Sequence, residues 1–165
     1  PEHGTIEVDG MVVNEMNDDT LQLYRRKVGV VFQDYKLLPR KTVFENVAFA
    51  LEVCGETNEE IHRRVPKILE KVGLLHFQDK FPEQLSGGEM QRLAIARALV
   101  HHPRLIIADE PTGNLDEGNV RGIVKLLKTL HEEGATILLT THDPLVQELV
   151  HGRSMTLSNG KIEEN

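Results

Sequence analysis

The groups in this chain best suited to chemistry on a phosphate lie in one stretch, LSGGEMQRLAIARALVHHPRLIIADEPTGNLD, residues 85–116. Asp109 and Glu110 stand side by side after the apolar run 105–108. A run without alternation fits a strand buried on both faces of a parallel sheet, and the carboxyl end of such strands is where open α/β sheets bind ligands. Neighbours on an extended chain point opposite ways, so Asp109 can face a magnesium ion while Glu110 faces a water. Upstream, Ser86 stands three residues before Glu89, the spacing of a capping box, and Met90, Leu93, Ala94, Arg97 and Ala98 recur at helical spacing. A helix is therefore predicted to start at Ser86. Gly87 and Gly88 in its first turn carry no side chain to block a ligand, and the free N–H groups there favour an anion such as phosphate. Taken alone, each feature has a plainer explanation: an ordinary capped helix, and a strand that ends in two solvated acids.

Positioning these groups requires a sheet and the helices that cover it. Pro111 cannot donate to a sheet ladder, so it ends the strand and leaves 112–116 as a loop. Near the start, Thr5–Val8 and Met11–Val13 flank Asp9-Gly10, a two-residue hairpin signal. Asp18 and Asp19 are placed to cap a short helix, and Val28–Phe32 predicts a second buried strand that delivers Gln33. Thr42 and Glu45 repeat the capping-box spacing ahead of Val43, Phe44, Val47 and Leu51. The run 58–72 has helical spacing, but Pro66 inside it predicts two helices or a kink near Val65. Phe81 and Pro82 read as a buried anchor before Leu85. Beyond Asp116, Val120 to Leu130 forms an amphipathic helix closed by Gly134, and 136–141 is the next parallel strand. That strand puts His142 at the same sheet edge as Asp109 and Glu110. A short helix over 144–150 and a hairpin turning at Asn159-Gly160 complete the chain. The expected organisation is a sheet-based lobe, 1–34 and 90–165, interrupted by a helical lobe, 35–89.

Composition bounds the possibilities. A length of 165 residues suits one domain or part of one. Nineteen Lys and Arg against 26 Asp and Glu give a net charge of −7, which disfavours nonspecific attraction to nucleic acid or an anionic membrane. The apolar stretches fall short of the roughly 20 residues that span a bilayer, and the start lacks the regions of a signal peptide. These features predict a cytoplasmic chain. Cys54 is the single cysteine, which excludes an internal disulfide and reads as a small packing residue. His101 and His102 close the first predicted helix, where polar or positive groups suit the dipole. The chain begins at Pro1 without an initiator methionine, which suggests further sequence upstream.

Leu85-Ser86-Gly87-Gly88-Glu89 with Gln91-Arg92, then Leu105 to Pro111, then Asn114-Leu115-Asp116, resembles the signature motif, Walker B motif and D-loop of the ABC-type ATPases. Glu89 departs from the family's commoner glutamine but keeps the capping logic. The resemblance implies an α/β P-loop NTPase core with a parallel sheet, an N-terminal edge hairpin and an inserted helical subdomain. It further implies ATP and Mg2+ as ligands, with Asp109 and Gln33 at the metal and Glu110, His142 and Gln33 in catalysis. Ser86, Gly87, Gly88, Glu89 and Asp116 would contact nucleotide held by the opposite subunit of a homodimer. The phosphate loop G-x-x-x-x-G-K-[ST] occurs nowhere in the sequence, whose one Gly-Lys pair is Gly160-Lys161 in the predicted terminal hairpin. In this family that loop precedes the segment resembling Glu2 to Ile6, so the chain resembles an ABC domain incomplete at its N-terminus and is not expected to turn over ATP as it stands.

The TGNLD of residues 112–116, with 28–55 and 71–116, resembles the branch of the family that serves bacterial cell division. That implies an FtsX-like integral membrane partner and a peripheral place on the cytoplasmic face of the plasma membrane, reached only through the partner. Docking is expected on the apolar groove around Tyr35, Leu37, Leu38 and Phe44. Lipoprotein-release and macrolide-export ATPases share TGNLD and are the alternative. A soluble DNA-maintenance ABC protein is disfavoured, because the interval from Gln33 to Ser86 is too short for long heptad arms and the charge is acidic.

Overall fold

A computed structural model describes residues 3–8 and 10–164. It opens with an antiparallel hairpin, β1 (Glu7–Val8) and β2 (Met11–Val12), shorter than the sequence suggests because a 3-10 turn over Val13–Glu15 follows at once. Gly10 holds the positive φ of the turn, while Asp9 lies outside the described residues. Helix α1 (Asp18–Arg25) is capped by Asn17, whose side chain accepts from the Thr20 N–H, rather than by the aspartates, which occupy its first turn. Strand β3 (Val28–Val31) leads to an irregular loop and then α2 (Val43–Val53), where Thr42 and Glu45 make the expected reciprocal capping box.

Helix α3 (Asn58–Lys71) runs unbroken through Pro66 instead of dividing in two. Val65 and Leu69, on either side of the proline, are completely buried, and that burial outweighs the missing hydrogen bond. Gly73, at φ 74°, ends the helix by letting the Leu74 N–H return to the Leu69 carbonyl at 2.7 Å. In the connection that follows, Pro82 is buried but Phe81 is 40% exposed, so the anchor is the proline alone.

Helix α4 (Gly87–Leu99) begins at Ser86 as predicted, and every one of its residues is buried or half-buried, Gln91 included. Leu93, Ala96 and Val100, at helical spacing on one side, join the α2–α3 cluster around Val47, Leu51, Val65 and Leu69. Ile95, Ala98 and Leu99 on the other side join the sheet cluster. A helix flanked by two cores buries both sides, which is why its pattern shows no polar stripe. His102 takes a left-handed conformation just after it, and burial pushes the His101 imidazole below its usual pKa.

Strand β4 (Leu105–Asp109) is central in a parallel sheet of order β3-β4-β5, with β5 at Thr136–Thr140. Between them α5 (Glu117–Glu132) covers one face through Ile123, Leu127 and Leu130. That face is closed: Val31, Ile106 and Ala108 are completely buried. The opposite face is not, contrary to the expectation for β4, since the registered row Val30, Ile107, Leu138 leaves Val30 37% and Leu138 46% exposed. Helix α6 (Pro144–Leu149) packs on α5 through Val146, and the hairpin β6 (Met155–Ser158) and β7 (Lys161–Glu164) turns at Asn159 and Gly160, both at positive φ.

Candidate functional site

The parallel register brings Asp109 opposite Thr140, at the carboxyl ends of β4 and β5. Thr140 Oγ1 donates to Asp109 Oδ1 at 2.6 Å, which fixes one oxygen of an otherwise exposed carboxylate. The next residue leaves the strand sharply: Glu110 has φ 46°, and its N–H donates to the Thr140 carbonyl at 3.1 Å. A left-handed glutamate costs of order 1–3 kcal/mol and persists where its surroundings over-determine it. Here the turn carries the Glu110 side chain to His142, with Oε1 2.6 Å from Nδ1. The Glu110 hydrogen bond and then its charge push His142 above its ordinary pKa. The contact engages Nδ1 and leaves Nε2 for another partner. Glu110 Oε2 is buried and has no hydrogen-bond partner among the described residues, the mark of a group whose partner is a ligand or water.

Gln33 reaches the same edge from β3. An ideal Cβ on Gly113 would lie 3.0 Å from Gln33 Nε2, so the bare glycine gives the amide its place. The Gly113 N–H in turn donates to the Glu110 carbonyl at 3.2 Å. Asp109, Glu110, His142 and Gln33 are thus gathered at one sheet edge. Among the described residues no group of three or more His, Cys, Asp and Glu could hold a metal by itself. Asp109 and Gln33 carry oxygen donors, the ligand type that Mg2+ takes together with waters and substrate phosphates.

The second group of expected residues lies on α4 and α5. The Ser86 hydroxyl and N–H both donate to Glu89 Oε2 at 2.7 Å, and these bonds hold the Glu89 carboxyl below its usual range. The glutamate therefore serves the cap, and the N–H groups of Gly87 and Gly88 are what the first turn offers an anion. Asp116 caps α5 through the Asn119 N–H at 3.1 Å and accepts from Asn119 Nδ2 at 2.6 Å, and its pKa is lowered chiefly by that amide. Asn119 Oδ1 also faces Arg92 Nη2 at 3.4 Å and packs onto Gly88, where an ideal Cβ would lie 2.2 Å from it. The turn 112–116 runs from one group to the other, with Gly113 against Gln33 and the Asn114 carbonyl facing Gly87.

Thr140, Asn119 and Asn46 were not legible as site residues. Thr140 gains its role from strand register, and Asn119 from the approach of two helices. Asn46 is completely buried, accepts from the Leu38 N–H at 2.8 Å, and donates to the carbonyls of Leu38, Lys41 and Thr42 at 2.9–3.1 Å, pinning the loop after Gln33 to α2. The polar residue inside the apolar pattern of α2 was the available signal.

The profile of the ABC transporter family matches residues 1–113. The cell division ATP-binding protein FtsE of Streptococcus pneumoniae (serotype 2, strain D39) is 48% identical over 159 residues, covering 96% of this chain and 69% of that protein. FtsE of Escherichia coli K12 is 42% identical over 162 residues, covering 98% and 73%. Among solved structures, the dimeric ATP-binding cassette MJ0796 in a post-hydrolysis state with ADP and Pi superposes with a TM-score of 0.86 and 37% identity, over 99% of this chain and 74% of that one.

Proposed function

The chain belongs to the ABC transporter family of ATP-binding proteins, and from that premise we propose that it is the ATP-hydrolysing subunit of an FtsE-like membrane complex acting in bacterial cell division. The observation that carries the reading is the Glu110–His142 pair, 2.6 Å apart at the end of β4, with the second Glu110 oxygen buried and unpartnered. Glu110 accepts a proton from the attacking water, and His142 orients the carboxylate while its Nε2 faces the terminal phosphate. Asp109, steadied by Thr140, and Gln33 would hold Mg2+, which when bound neutralises charge on the phosphates.

Ser86, Gly87, Gly88, Glu89 and Asp116 line the surface offered to nucleotide on the partner subunit of a head-to-tail homodimer, the Gly87 and Gly88 N–H groups meeting phosphate while Glu89 and Asp116 hold the helix caps around them; the two-fold arrangement makes both sites equivalent. The sheet-based lobe, 1–34 with 90–165, and the helical lobe, 35–89, meet at α4, whose two sides enter both cores. An FtsX-like integral membrane protein docks around the half-buried Tyr35, Leu37, Leu38 and Phe44, and holds the subunit at the cytoplasmic face of the membrane. No described helix is long and apolar enough to cross a membrane. Phosphate binding also needs a G-x-x-x-x-G-K-[ST] loop, which this sequence does not contain. Turnover is accordingly proposed for a protein that supplies such a loop.

The test is Glu110→Gln in the protein expressed from its own gene with its membrane partner. Nucleotide binding should persist while turnover falls by roughly 10²–10⁴-fold. Unchanged turnover removes Glu110 from catalysis.

A further inference from the structure

The loop after Gln33 has a backbone that needs an explanation. Tyr35 and Lys36 are consecutive residues with side chains, and both have positive φ, 59° and 49°. The Lys36 N–H closes on the Asp34 carbonyl at 2.6 Å across Tyr35, and the Tyr35 N–H closes on the Phe32 carbonyl at 3.2 Å, so the chain reverses directly beyond the glutamine. Residues other than glycine avoid this region, and two in succession do not arise from local preference.

Arg97 on α4 supplies the missing interaction. Its half-buried guanidinium donates from Nη1 to the Lys36 carbonyl at 2.7 Å and from Nη2 to the Tyr35 carbonyl at 2.9 Å. Successive carbonyls of an extended chain point to opposite sides, whereas a curled backbone turns them the same way. A rigid planar fork therefore selects the curled form, and a lysine could not do the same. The other end of the loop is fixed independently by Asn46, which engages both the N–H and the carbonyl of Leu38.

We propose that Arg97 is a positioning residue for Gln33. From α4 it holds the Tyr35–Lys36 reversal, so the glutamine amide stays against Gly113 beside Glu110, and a displacement of α4 is passed to that amide. The functional meaning rests on the role proposed above for Gln33. The clamp itself does not.

Hydrogen exchange on this chain separates the two. In Arg97→Met the Tyr35 and Lys36 amides should exchange at least about tenfold faster, as expected for loss of charged hydrogen bonds, while α2 and β4 keep their protection. Arg97→Lys should give a smaller increase. Adding Lys36→Gly to Arg97→Met should restore part of the protection at Tyr35, because glycine accepts positive φ without strain. Unchanged exchange at Tyr35 and Lys36, or an equal rise in loop, α2 and β4, overturns the clamp. If Arg97→Met does not fold, the same loop-to-core comparison in Arg97→Lys decides. Gln33→Ala in the turnover assay tests the glutamine alone: normal turnover there removes the catalytic reading and leaves the clamp, whereas unchanged exchange removes the clamp and leaves the glutamine.

Discussion

Gly88→Ala tests the contact that joins the first turn of α4 to α5. An ideal Cβ at Gly88 lies 2.2 Å from Asn119 Oδ1 and 2.5 Å from its Cγ. Nonbonded carbons settle about 3.5–4.0 Å apart, so either the asparagine must leave its place against Asp116 or the helices must part by about 1 Å. Overpacking of this kind costs about 1–3 kcal/mol. Against it stands the gain from exchanging glycine for alanine in a helix, at most about 1 kcal/mol and less this close to the N-cap. The net expectation is a loss between about zero and about 3 kcal/mol, with the melting temperature falling by about 2–4 °C for each kcal/mol in a chain of this size. In an Asn119→Ala background the obstruction is gone, so the same change should become neutral or stabilising. Urea denaturation of the wild type, both single variants and the double variant measures the coupling directly, and its expected size is the overpacking term, about 1–3 kcal/mol. A coupling within about 0.3–0.5 kcal/mol of zero, the range of independent sites, would refute the contact.

The His142 ring should titrate above the ordinary value of about 6.5 by NMR, and return toward it in Glu110→Gln. Because the folded pKa is the raised one, the pair contributes fully below the unfolded pKa and its contribution is lost as pH rises through the folded value; a midpoint unmoved by the substitution removes the pairing. Calorimetric titration of this chain with Mg-ATP should show no binding tighter than about 1 mM, and micromolar affinity would mean an unrecognised phosphate site. Pro66→Ala should stabilise the fold by about 2 kcal/mol, the roughly 3 kcal/mol cost of an interior proline less the entropy it removes from the unfolded chain, as read by chemical denaturation. A loss of stability would show that the proline ring's packing outweighs the helix it interrupts.

Much of this protein was legible without coordinates because its signals are local. The capping boxes at Thr42–Glu45 and Ser86–Glu89 close over three residues, and the Asn159-Gly160 turn needs only two residues at positive φ. The apolar run before Asp109 likewise announces a strand and its carboxyl end. Where burial overrules propensity, the local signal misleads. Pro66 stays inside a helix because its neighbours are core residues, and Asn17 rather than an aspartate caps α1 because the chain enters the helix one residue earlier. Exposure also depends on what lies above the sheet, which no run of apolar residues reports: Ile107 of β4 is half-buried, while its registered neighbours Val30 and Leu138 are more open in this chain.

The types of Asp109, Glu110, His142 and Gln33, and their places at strand ends, were set by the sequence itself. That Thr140 steadies Asp109, that Gly113 makes room for Gln33, and that Arg97 grips a turn at Tyr35 and Lys36 were decided only by tertiary structure. Each of these contacts joins residues 31 to 80 positions apart along the chain. Their distances depend on strand register and helix approach, which the packing of the whole core determines and no short stretch encodes.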